Sequence, residues 1–132
     1  MTYGWGRGPQ NCALSPDGRH LWVSALGPPS TNQGGAQLID TATSQISGVE
    51  PGAFVQPTGL SMTPDGRSLL VPDAGTDQAP RRTVTVIDTA TSRTSRVITL
   101  PCWPVKAAVR PDGREAWVTC EDPKTVWRVP LP

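Results

Sequence analysis

Apolar and polar residues alternate along this chain in short runs, each bounded by Pro, Gly, Asp or Thr. QNCALS (10–15), TGLSMT (58–63) and VKAAVR (105–110) place small or apolar residues at their third and fifth positions: Cys12 and Leu14, Leu60 and Met62, Ala107 and Val109. A period of two predicts a half-buried strand, here strand a. Pro-Asp-Gly follows at 16–18, 64–66 and 111–113. Pro presets φ, Asp can bond its own backbone and Gly accepts positive φ, so the chain reverses there. Strand b is HLWVSA (20–25), SLLVPD (68–73) and EAWVTC (115–120). Its adjacent apolar columns, Trp22/Leu70/Trp117 and Val23/Val71/Val118, predict a sheet covered on both faces. Strand c is AQLID (36–40), TVTVID (83–88) and TVWRVP (125–130). Asp40 and Asp88 precede Thr-Ala-Thr, and holding that turn is the role expected of them, ahead of catalysis. Strand d is QISGV (45–49) and RTSRVITL (93–100), and the third series has none.

The runs form a repeat. The Pro-Asp-Gly turns are spaced 48 and 47 residues apart, each followed by Arg and preceded by Pro9, Pro57 or Pro104. LIDTATS at 38–44 returns as VIDTATS at 86–92, again 48 residues on. Four antiparallel strands per period without helices make one blade of a β-propeller. The expected fold is therefore all-β, a single partial propeller over residues 1–132. Blade 1 spans about 9–50, blade 2 about 57–100, and blade 3 about 104–130, which lacks its own strand d. The pattern PDG-R-x-L-W-V-S followed by V-x-V-I-D-T-A-T resembles the YVTN β-propeller repeat over about residues 9–129. The tetrapeptide slot reads WVSA, LVPD and WVTC: the central Val is kept, the Tyr and Asn are not. That resemblance implies kinship with seven-bladed surface-layer and lactonase-like propellers and with redox-enzyme subunits, many of them exported. It implies no one chemistry, because fold does not fix function.

Closed propellers have about 4–8 blades, and each blade buries its faces on its neighbours. Three blades therefore imply either further blades in a longer chain or self-association of copies. Residues 1–8 lie where a strand d would sit and are the candidate closing strand. The simplest closed arrangement is a two-fold dimer in which each N-terminal segment completes its partner's third blade.

Charge narrows the partners. Twelve Lys and Arg against eleven Asp and Glu leave +1, so neither nucleic acid nor an anionic membrane surface is an expected partner. No apolar run approaches the ~18 residues of a membrane span. The start, MTYGWGRGPQ, has no apolar core of an export signal. Gly 13 and Pro 15, scattered throughout, exclude a helix bundle. Cys12, Cys102 and Cys120 are odd in number and lack metal-ligand spacing. A Cys102–Cys120 bridge is open to the chain because both approach the loop face, but free thiols are the expectation without an export signal.

In a propeller the b–c and d–a connections share one face, where Leu26–Gly35, Phe54–Gln56, Ala74–Arg81 and Pro101–Trp103 fall. Loops on a rigid scaffold usually carry binding. The candidate ligand-binding residues are Arg7, Gln56, Arg81, Arg82 and Trp103. Trp22 and Trp117 share a strand column and are expected to pack, whereas Trp5, Trp103 and Trp127 break the repeat. His20 lies on the turn face and is expected to be exposed. Asp73, Asp77, Glu121 and Asp122 could reach a cation, but no acidic column repeats, so no metal or cofactor is expected. No nucleophile–base set or phosphate loop is present. The expected function is a non-catalytic module that binds protein or another ligand through its loop face. The alternatives are a fragment of a lactonase-like or redox propeller enzyme and a Trp-based carbohydrate binder.

Overall fold

A computed structural model describes residues 8–26 and 34–131, with only the backbone of 48–53. Arg7, Trp5, the closing segment 1–8 apart from Gly8, and most of the Leu26–Gly35 connection lie outside the described residues. The described chain is all-β and forms three antiparallel meanders. Blade 1 orders β1 (Gly8–Leu14), β2 (His20–Leu26), β3 (Gly34–Asp40) and β4 (Ile46–Phe54). Blade 2 orders β5 (Ser61–Met62), β6 (Ser68–Gly75), β7 (Pro80–Asp88) and β8 (Arg93–Thr99). Blade 3 has β9 (Pro104–Val109), β10 (Glu115–Cys120) and β11 (Thr125–Pro130), with no fourth strand among the described residues. This is a partial β-propeller.

The turns form as their side chains dictate. Ser15 Oγ and the Arg19 amide donate to Asp17, at 2.6 and 3.0 Å. Thr63 Oγ1 and the Arg67 amide repeat this on Asp65, at 2.7 and 3.0 Å. Gly18, Gly66 and Gly113 sit at φ of 72°, 72° and 71°, the left-handed region that Pro-Asp-Gly requires. Asp40 accepts from the Ala42 and Thr43 amides, and Asp88 from those of Ala90 and Thr91. Thr41 and Thr89 then donate their hydroxyls to the Gly18 and Gly66 carbonyls, tying the c–d turn to the a–b turn. In blade 3, where Pro130 replaces the Asp, the Leu131 amide bonds the Arg114 carbonyl. Thr41 and Thr89 make the same amide bond to Arg19 and Arg67.

Two cores lie between blades. Trp22, Ala36 and Phe54 of blade 1 pack on Leu60, Leu69, Val71 and Ile87. Leu70, Val84, Val86 and Leu100 of blade 2 pack on Ala107, Ala116, Val118 and Val129. Adjacent residues of strand b thus point to opposite blades, and each such buried Val or Leu contributes roughly 1.5–3 kcal/mol. The apolar column of strand a faces the preceding blade. Leu60 and Ala107 are therefore buried, whereas in blade 1 Cys12 is exposed and Leu14 is 57% exposed. The Trp column faces the following blade: Trp22 is buried and Trp117 is 46% exposed. Packing between blades accounts for Trp22, whereas nearly half of Trp117 stays exposed.

Other expectations need correction. Phe54 is not a loop residue; it ends β4 and is fully buried in the core. Strand a of blade 2 shrinks to Ser61–Met62, and hydroxyls of this segment bond to blade 3. Thr58 Oγ1 donates to the Val105 carbonyl at 3.1 Å, and Ser61 Oγ to that of Ala107. His20 is half-buried rather than exposed, paired in register with Asp40.

Candidate binding cleft on the loop face

The expected b–c loop at Ala74–Arg81 is instead a tight hairpin. Thr76 and Ala79 exchange backbone hydrogen bonds of 3.0 and 3.1 Å, and Gly75 pairs with Pro80. Gly75 turns at φ 69°, where a Cβ would overlap the Ala79 carbonyl. Arg81 and Arg82 consequently lie on strand β7, exposed, with the Arg82 carbonyl accepting from the Leu100 amide at 2.7 Å.

Asp73 is fully buried at the end of the repeating part of strand b. Its Oδ2 accepts from the Val55 amide at 2.9 Å, and its Oδ1 from those of Gln56 and Gly75 at 2.8 and 3.0 Å. The carboxylate expected to reach a cation is thus a latch that holds the segment leading into strand a. Blade 3 fastens the corresponding segment covalently: Cys102 and Cys120 form a disulfide with Cα atoms 5.7 Å apart. That corrects the expectation of free thiols at both; Cys12 alone is a free thiol. Cys120 ends strand b directly beside Pro104, and both sulfur-bearing residues are buried, which brings together what sequence spacing left apart.

Each latch places the next residue. Gln56 follows Val55 and Trp103 follows Cys102, and both line one cleft of about 300 Å³. Its other walls include Thr58, Thr76, Asp77 and Glu121. Trp103 is clamped at its backbone: its amide donates to the Asp122 carbonyl at 3.1 Å, and its carbonyl accepts from Glu121 at 3.0 Å. Its indole Nε1 is buried and finds no hydrogen-bond partner among the described residues. The structure therefore brings Gln56 and Trp103 together and leaves Arg81 and Arg82 outside the cleft wall. Thr58, Thr76, Asp77 and Glu121 join the site. Asp77 and Glu121 carried a sequence signal as loop-face acids; Thr58 and Thr76 carried none.

Trp127 is 40% exposed and donates its indole N–H to Thr125 Oγ1, away from the cleft. The opposite face has two grooves, of about 320 and 440 Å³, between consecutive Pro-Asp-Gly turns. Asp17, Trp22 and Leu38 wall one as Asp65, Leu70 and Val86 wall the other. They are the wedge spaces that any two consecutive blades leave.

Neither a family model nor a curated protein matches the chain. Solved structures do. A Kuenenia stuttgartiensis hydrazine synthase chain is 28% identical, with a TM-score of 0.69 over 90% of this chain and 31% of that one. A chain of a nidogen/laminin complex gives 15% identity and a TM-score of 0.75 over 94% and 43%. The Myceliophteria thermophila Cps50 (Swd1) β-propeller domain gives 17% and 0.74 over 100% and 41%. This chain therefore spans less than half the length of each of these three. Together with the three stacked meanders, these likenesses establish the β-propeller fold.

Proposed function

We propose that the protein is a non-catalytic propeller module that binds a macromolecular partner through its loop face. The observation that carries this reading is the cleft between blades 2 and 3. Gln56 and Trp103 are brought to it by two different latches, one hydrogen-bonded and one covalent. Loop segments pinned to a rigid scaffold suit recognition. Among the described residues of the cleft wall, no nucleophile is hydrogen-bonded to a base. The nidogen/laminin structure is itself that of a protein complex. In the test, Gln56→Ala/Trp103→Ala and a turn-face control, Arg114→Ala, are compared for partner capture and melting temperature. Loss of capture in the loop-face variant alone, with melting unchanged, supports the reading. Substrate turnover abolished by the same two changes would overturn it.

The likeness to hydrazine synthase favours a second reading, a piece of a propeller from a redox enzyme whose active groups lie on other blades. In-frame Pro-Asp-Gly repeats flanking the coding sequence would favour that reading over the first.

The 132-residue chain by itself is proposed to self-associate through its third blade. Val126 is 59% exposed on the same sheet face as Trp117, one pair along from it, and strand β11 has no neighbour on its outer edge among the described residues. On blade 1 the residue matching Trp117 is Trp22, and a face of the same repeat covers it.

A further inference from the structure

We infer that copies of this chain meet head to tail, the outer face of blade 1 in one copy packing on the outer face of blade 3 in a second. This deepens the self-association proposed above and rests on it. Both blade interfaces inside the chain mate the same two faces. The face turned to the following blade carries the Trp column and the residue four before the end of strand c. These are Trp22 with Ala36 in blade 1 and Leu70 with Val84 in blade 2. The face turned to the preceding blade carries a row of cross-strand partners. In blade 2 the row is Met62, Leu69 and Ile87, and in blade 3 it is Val109, Ala116 and Val129. Directly paired residues point to one side of a sheet, so each row forms a single ridge. Both ridges pack into the cores between blades.

Among the described residues, one face of each kind is left partly exposed, at opposite ends of the chain. On blade 3 the columns are filled by Trp117 and Val126, 46% and 59% exposed. On blade 1 the row is Leu14, Leu21, Ile39 and Ile46, paired in register across all four strands. Its ends, Leu14 and Ile46, are 57% and 42% exposed; Leu21 is half-buried and Ile39 buried. Cys12 continues this face along strand a and is exposed, whereas its counterparts Leu60 and Ala107 are buried in the two inter-blade cores. The aliphatic row at one end and the Trp column at the other are thus the two halves of an interface that the chain forms twice within itself. One residue departs from the columns. Arg128 stands opposite Trp117, where Leu38 and Val86 stand opposite Trp22 and Leu70, and Glu115 meets its charge at 3.8 Å. Exposed apolar patches of this kind mark interaction surfaces. Two different patches that complement each other make a heterologous contact, which closes into a ring or runs on as a filament. A symmetric contact of two blade 3 faces would instead set the Trp column on itself, which neither internal interface does.

The test compares the wild-type chain with a blade 1 variant, Leu14→Glu/Ile46→Glu, and a blade 3 variant, Trp117→Glu/Val126→Glu, by sedimentation equilibrium. Wild type should exceed 14.0 kDa and each variant alone should stay at 14.0 kDa. An equimolar mixture of the two variants keeps one intact face of each kind, on different molecules. It should therefore regain association, as a heterodimer of twice 14.0 kDa. Cys12 provides a second readout that leaves blade 1 unchanged. Its alkylation by iodoacetamide should slow at least about fivefold as wild type passes from dilute to associated. In the blade 3 variant the rate should not depend on protein concentration. Circular dichroism checks that each variant folds, and where the blade 1 variant does not, the Cys12 rates decide. Three results would overturn the head-to-tail contact and leave self-association standing: a folded blade 1 variant that associates like wild type, a mixture of folded variants no heavier than its parts, or a Cys12 rate indifferent to concentration while the wild-type mass rises. A wild-type mass fixed at 14.0 kDa throughout, as expected if these faces meet further blades of a longer chain instead, would remove both.

Discussion

Ala25, Asp73 and Cys120 occupy one position of the repeat, the last of strand b, and two of them do the same mechanical work. Asp73 grips the backbone ahead of strand a through amide hydrogen bonds, and Cys120 grips it through a disulfide to Cys102. Ala, Asp and Cys share no chemistry, which hid the common role in the sequence. In isolation, Asp73 reads as a solvent-facing acid and Cys120 as one of an odd set of thiols. Asp73→Ala should leave three amide donors without their acceptor, all in or near the core. That predicts a loss of about 2–4 kcal/mol, read from denaturant unfolding of the intact protein. Acid sensitivity belongs to the turn aspartates. The Ser15 hydroxyl and then the Arg19 amide hold Asp17 below its ordinary value of 3.8. The Thr63 hydroxyl and then the Arg67 amide do so for Asp65, and the Thr43 amide and hydroxyl for Asp40. A carboxyl depressed in the folded state stabilises fully above its unfolded pKa, and that stability is lost as pH falls through the folded pKa. The wild-type melting temperature should therefore fall as pH drops below 3.8. Asp17→Asn/Asp65→Asn should make that fall shallower, and equal slopes in the two proteins would refute the assignment.

Strands, turns and inter-blade columns were legible because period-two runs and Pro-Asp-Gly turns act locally. Contacts between elements were not. Strand a of blade 2 looks as good in sequence as that of blade 3, yet only Ser61–Met62 pair as a strand. Thr58 and Ser61 turn to the carbonyls of β9, and Gly59 makes this close approach feasible. A Cβ at Gly59 would stand 2.6 Å from the Val105 carbonyl oxygen. Gly59→Ala should push β9 outward and cost roughly 1–3 kcal/mol, with the denaturation midpoint lowered at unchanged slope. A neutral substitution would show that blades 2 and 3 are not joined this closely. Likewise, Arg81 and Arg82 read as loop residues because they precede the apolar alternation of TVTVID at 83–88. The Thr76–Ala79 turn closes Gly75 and Pro80 into a hairpin, which carries the two arginines onto β7.

At the scale of the molecule, two of the described surfaces carry the proposals. The outer face of blade 3 bears Trp117 and Val126 beside the free edge of β11, surface that blade-on-blade packing buries elsewhere in this chain. Sedimentation equilibrium should show a mass above 14.0 kDa for the chain, returning to 14.0 kDa in Trp117→Glu/Val126→Glu. A wild-type mass fixed at 14.0 kDa across a dilution series would remove the self-association proposal. The loop face is the other surface, and its cleft was half legible. Gln56 and Trp103 were found from their place ahead of strand a, whereas Thr58 and Thr76 needed the fold. The most direct discrimination between faces comes from a photo-crosslinking amino acid placed in turn at Gln56 on the loop face and at Arg114 on the turn face, in cells of the source organism. A discrete adduct from position 56 and none from position 114 is the predicted result. Adducts from position 114 alone, or identical adducts from both, would contradict recognition through the loop face.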